Sequence, residues 1–101
     1  PVEPLAPLPG VYAAVTRQEI DGTPTGGWHP AQRLTLHEAL YAYTMGAAYA
    51  SYQEQRKGSI TPGKWADLII LSDDIFAADT GALLRARVDV TIVSGQVAFG
   101  A

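Results

Sequence analysis

The stretch Lys57-Gly58-Ser59-Ile60-Thr61-Pro62-Gly63-Lys64-Trp65-Ala66-Asp67-Leu68-Ile69-Ile70-Leu71 divides the chain. A glycine, a tight Pro-Gly turn and an apolar run follow one another in it. The apolar run through residues 66–71 predicts a strand covered on both faces. Residues before this stretch read as helix and loop, and residues after it read mainly as strand.

Downstream, Ser72-Asp73-Asp74 ends the strand, and Ile75-Phe76 is expected to pack back on the sheet. Residues 80–85 are expected to form a helical turn. Val88-Asp89-Val90-Thr91-Ile92-Val93 is rich in β-branched residues and reads as a second strand. Ser94-Gly95 is a two-residue hairpin signal, and Gln96-Val97-Ala98-Phe99 is the returning strand.

Upstream, residues 1–9 carry four prolines and read as an extended segment. Leu8, Val11, Tyr12 and Val15 fall at helical spacing, which predicts a short helix to Arg17. Residues 20–33 have no period and are dense in turn formers, a long connection of the kind that forms a functional loop or lid. Thr35 with Glu38 three residues later is a capping box that opens the best helix. Leu36, Leu40, Tyr43 and Ala47 make one face of it, and Ala39, Ala42 and Gly46 an adjacent face of small residues. Thr44-Met45-Gly46 is expected to kink this helix, or else a second short helix runs through residues 47–52.

The chain has 101 residues, 48% of them hydrophobic and 17% charged, which excludes a disordered tail. That apolar content suits a chain that sets some of its surface against a partner. A net charge of −3 gives no footprint for nucleic acid or an anionic membrane. No run is long enough to span a bilayer. The absence of cysteine excludes thiolate chemistry and favours a reducing cytoplasm. The start at Pro1-Val2-Glu3-Pro4, without Met or a leader, is expected to be a cut in a longer polypeptide.

Four pieces, in order, resemble the C-terminal end of the amidohydrolase superfamily. They are Leu34-Thr35-Leu36-His37-Glu38-Ala39-Leu40, Gly46-Ala47-Ala48-Tyr49-Ala50, the stretch 57–71, and Val90-Thr91-Ile92-Val93-Ser94-Gly95-Gln96-Val97. Pro1-Val2-Glu3-Pro4-Leu5, Gly10-Val11-Tyr12-Ala13-Ala14-Val15-Thr16-Arg17 and Trp28-His29-Pro30-Ala31-Gln32-Arg33 are similar to its branch of long metal-dependent hydrolases, family 3-like. The resemblance implies a TIM barrel with a small composite β-sandwich built from both chain ends. Residues 1–52 would be the helical end of the barrel with a loop over its mouth. Residues 53–101 would be the C-terminal part of the sandwich. The fold class expected of this chain is α+β, helices followed by a small antiparallel or mixed sheet of about three to four strands. The resemblance also implies zinc or another divalent metal in the parent enzyme. The family's ligands are a His-x-His pair, an acidic residue or carboxylated lysine, two more histidines and an aspartate expected just before Pro1. None falls in this chain.

The residues agree that the chemistry lies elsewhere. The chain's two histidines, His29 in the Gly/Pro loop and His37 in a first helical turn, are not at a ligand spacing. Trp28 and His29 are candidates for contact with substrate, because the resemblance sets their loop near the barrel mouth. Asp67 reads as an acceptor of backbone hydrogen bonds at a strand start, Asp73 and Asp74 as solvated turn residues, and Lys64 as a surface turn residue. No glycine stretch has the partners of a phosphate loop. Ser51, Ser59, Ser72 and Ser94 have no His-acid pair in a recognisable elbow. The expectation is a C-terminal fragment, without catalytic residues of its own, of an enzyme that hydrolyses amide or cyclic amide C–N bonds. Its partners would be the remainder of that chain, or further copies of itself. The alternative is a stand-alone α+β interaction module.

Overall fold

A computed structural model describes residues 4–77 and 79–100. The extended reading of residues 1–3 lies outside them. The described residues form four short α-helices and one three-stranded antiparallel sheet, a small α+β fold. It divides into two compact units, Pro1–Leu40 with Asp74–Ala86, and Tyr41–Asp73 with Arg87–Ala101. The division falls after Leu40, so residues 41–52 group with the strands.

In the first unit, helix α1 spans Pro7–Thr16, with proline in its first turn where no amide partner is needed. Its buried residues are Val11, Tyr12 and Thr16. The Thr16 hydroxyl donates to the Tyr12 carbonyl at 2.8 Å and accepts from the Gln18 amide at 3.1 Å. The unit's core also takes Ala39, Ile75, Ala82 and Leu83. Ile75 and Phe76 thus belong to this unit and not to the sheet. The Phe76 ring lies 5.1 Å from that of His37. Asp74 Oδ1 sets their turn by accepting from the Phe76 and Ala77 amides, at 2.9 and 3.3 Å. A 3-10 turn at Pro30–Gln32 leads to helix α2, Leu36–Tyr41. The capping box is formed in both directions. The Thr35 amide donates to Glu38 Oε1 at 3.0 Å, and the Glu38 amide donates to the Thr35 hydroxyl at 3.1 Å.

In the second unit the kink expected at Gly46 is a π-helical turn, Ala42–Gly46, followed by α3, Ala47–Ala50. Of the two expected faces only Ala39, in the first unit, is buried; Ala42, Tyr43 and Ala47 are exposed, and the buried residue here is Ala48, which is on neither face. Gly58 packs against it. A Cβ on Gly58 would lie 2.8 Å from Met45 Sδ and 3.0 Å from Ala48 Cβ, so only bare backbone can approach this closely. Thr61-Pro62-Gly63-Lys64 is a turn closed by Lys64 N–H to Thr61 C=O at 3.1 Å, with Gly63 at φ 94°. Proline second and glycine third at positive φ is a type II turn.

The sheet order is β1 (Leu68–Leu71), β2 (Val88–Val93), β3 (Gln96–Phe99). Leu68 stands opposite Ile92, and Ile92 opposite Val97. The hairpin Ser94-Gly95 has positive φ at both residues, 51° and 76°, the requirement of a type I′ turn. The remaining short helix, α4 at Ala82–Arg85, packs on α1 in the first unit. Two further expectations fail: residues 7–9, read as extended chain, begin α1, and β1 departs from its reading. β1 is not covered on both faces, since Ile69 and Ile70, which alternate across the sheet, are 48% and 50% exposed.

Two tests follow. Gly58→Ala is expected to cost about 1–3 kcal/mol in denaturant unfolding, from overpacking and from its positive φ. Gly63→Ala, at a similar φ but with nothing within 4 Å, should cost less. Equal losses would remove the close-approach argument. The second test concerns Glu38, whose pKa is lowered, first by the Thr35 backbone N–H and then by the Thr35 hydroxyl. A lowered carboxyl pKa gives stability that is complete above the unfolded-state pKa and lost as pH falls through the folded one. Thermal melts of wild type and Glu38→Gln should therefore separate near neutral pH and converge in acid. A pH-independent gap would contradict this.

Candidate functional site

The loop of residues 17–29 in the first unit is closed by its two ends. Arg17 leaves α1 in the left-handed region, φ 57°, and its carbonyl accepts the Trp28 amide at 2.8 Å. Arg17 Nε donates back to the Trp28 carbonyl at 2.9 Å, and the guanidinium carbon lies 5.1 Å from the Trp28 ring centroid. Gly27 permits the closure, because a Cβ there would lie 2.5 Å from the Thr16 carbonyl oxygen. Inside the loop, Glu19 N–H donates to Thr23 C=O at 2.7 Å and Gln18 Nε2 to Pro24 C=O at 3.2 Å. The Thr23 hydroxyl, then its backbone N–H, donates to Asp21 and lowers the Asp21 pKa. The loop is therefore an ordered, self-bonded structure of the kind that often carries function.

Trp28 is 62% exposed, and His29, also left-handed at φ 50°, sets its ring edge-on to Trp28 with centroids 4.3 Å apart. The two candidates are thus side by side, and Trp28 with Ala13, Arg17, Gln18, Glu19, Thr23 and Pro24 lines a cavity of about 440 Å³. Residue-by-residue reading passed over Arg17. Its partner lies eleven residues away, beyond any local spacing signal.

Asp67 Oδ1 accepts the Ser94 amide at 2.8 Å, and the Gly95 amide donates to the Ala66 carbonyl at 3.0 Å, so the strand start holds the hairpin tip. Lys64 is not a plain surface residue. It is half-buried, and its ammonium reaches the Lys57 carbonyl at 3.3 Å and Met45 Sδ at 3.5 Å. A second cavity of about 440 Å³ lies within the second unit, between Tyr43–Ala48, Lys57–Ile60 and Asp67–Ile69. Among the described residues no three His, Cys, Asp or Glu side chains converge to hold a metal ion. His29 faces Trp28 and His37 faces Phe76, so the donors described here do not fit a metal centre.

A sequence profile described as the amidohydrolase family matches residues 1–99. The chain belongs to the amidohydrolase family. Three relatives align along nearly all of it. YtcJ of Bacillus subtilis (strain 168), an amidohydrolase by name, is 33% identical over 98% of this chain and 19% of its own length. Protein LONG AFTER FAR-RED 3 of Arabidopsis thaliana is 37% identical over 95% of this chain and 16% of its own. The N-substituted formamide deformylase of Arthrobacter pascens is 34% identical over 93% and 17%. The chain spans less than a fifth of the length of each of these family members. No solved structure matches it significantly.

Proposed function

We propose that this chain is the C-terminal part of a longer metal-dependent amidohydrolase that hydrolyses amide or cyclic amide C–N bonds, and that it is not catalytic alone. The observation that supports this reading most is the alignment of nearly the whole chain to under a fifth of each relative. One of those relatives is named for removing the formyl group from N-substituted formamides, which are amides. The divalent metal, zinc or another, would be held by the remainder of the polypeptide and would supply activated water when bound. Residues 1–52 would close the end of a TIM barrel, with Trp28 and His29 on a loop that meets substrate. Residues 53–101 would complete a composite sandwich. Among the described residues no helix is long and apolar enough to cross a membrane, and we place the protein in the cytoplasm.

Metal analysis and hydrolysis assays on the purified chain test the catalytic part. The expected outcome is no stoichiometric zinc and no turnover of N-substituted formamides or cyclic amides, with both restored in a longer polypeptide that carries this segment. Tight zinc or turnover by the chain alone would overturn it. The remainder of the chain is the partner that the sheet's apolar faces suit, and its absence should drive copies together. β1 and β3 are both edge strands, and Val97 and Phe99 are 54% and 61% exposed. Sedimentation of the isolated chain is expected to show self-association that grows with concentration. A compact monomer at the highest concentrations would count against it.

A further inference from the structure

The loop closed by Arg17 and Trp28 holds two oppositely charged side chains that the described residues leave to solvent. Arg17 Nε is committed to the Trp28 carbonyl, and its guanidinium carbon lies 5.1 Å from the Trp28 ring centroid. Its two terminal nitrogens have no acceptor among the described residues. Glu19, which lines the same cavity, has a carboxylate with no donor among them. Among the described residues the one ion pair is Arg85 with Asp79, outside this cavity, so Arg17 and Glu19 are not paired with each other. Ala13, Pro24 and Trp28 supply the apolar part of the wall. Both ends of the loop are held by non-glycine residues at positive φ, a strain that the surrounding hydrogen bonds must fix in place.

A simple anion in this cavity would meet Arg17 but also Glu19, and a simple cation would face the reverse. A ligand with both charges a few bonds apart satisfies both. The exposed indole adds a preference for a planar apolar group, through offset or edge-to-face contact. About 440 Å³ lies at the small end of ligand sites. We propose that this cavity binds a single α-amino acid with an aromatic side chain. Its carboxylate lies on the terminal nitrogens of Arg17, its ammonium on Glu19, and its ring against Trp28 and Pro24. The proposal shares its loop with the hydrolase reading but is tested by binding alone. Binding without turnover leaves it standing, and turnover by a longer polypeptide without such binding removes it alone.

The test is a titration of the chain with phenylalanine, followed by nitrogen–proton NMR correlation spectra. The indole signal of Trp28 and the Nε–H signal of Arg17 are expected to shift saturably, while the indole of Trp65, in the other unit, stays still. Phenylalaninamide lacks the carboxylate and phenylpropanoate lacks the ammonium. Each should bind about tenfold more weakly, the scale of one charge-assisted hydrogen bond. Glu19→Gln touches no hydrogen bond of the loop. It should leave the free-state Trp28 signal in place, weaken phenylalanine about tenfold and leave phenylpropanoate no weaker. Shifts that do not saturate, equal responses to the three compounds, or a response centred on Trp65 would overturn the proposal.

Discussion

Gly58 lies where any side chain would meet Met45 and Ala48, and the path of the second unit follows from that approach. With the backbone seated there, the Lys57 carbonyl is in reach of the Lys64 ammonium, which also rests on Met45 Sδ. The Pro62-Gly63 turn then brings the Trp65 amide back to the Arg56 carbonyl at 2.7 Å. Asp67 arrives at the hairpin tip, where it accepts the Ser94 amide. Each step presumes the one before it. Because Ala48 is the unit's one buried residue among those described, its order stands on turn geometry and hydrogen bonds more than on burial.

Each unit, taken by itself, is held by different physics. The first has a small core of its own, drawn from α1, α2, α4 and Ile75. The second has a three-stranded sheet with two open edges and half-exposed isoleucines on opposite faces. Three strands need a covered apolar face to be stable by themselves. Those faces are what the proposed longer polypeptide would cover.

The parts of the fold set by local rules were legible in the sequence. The capping box of Thr35 and Glu38, the Ser94-Gly95 hairpin and the Pro62-Gly63 turn each depend on residues within four positions of one another, and each formed as read. The parts set by distant packing were not. Periodicity placed Leu36, Leu40, Tyr43 and Ala47 on one face, but Ala48 is buried instead, packed against a glycine from beyond the helix. An apolar run cannot show whether its cover belongs to the same chain, so β1 read as buried and is half-exposed. In the candidate site, Trp28 and His29 were found by their place in a loop. Arg17 escaped notice because the closure that gives it a role spans eleven residues.

Residue type is a poor guide to chemistry in this chain, and remaining bonding capacity is a better one. Lys64 and Asp67 sit in the stretch 57–71, and both have the appearance of reactive groups. Both are committed, the lysine to a carbonyl and a thioether, the aspartate to a hairpin amide. A group whose position is set by such bonds must give them up to meet a ligand, and that loss offsets much of what the ligand would contribute. Arg17 differs in that only one of its nitrogens is engaged, and that bond orients the others. An arginine fixed in plane loses less rotamer freedom on binding than one free in solvent, so its remaining donors act as a preset fork. The polar groups of the stretch 57–71 are therefore spent on its own backbone geometry, whereas the Arg17–Trp28 loop keeps the donors that a ligand would need.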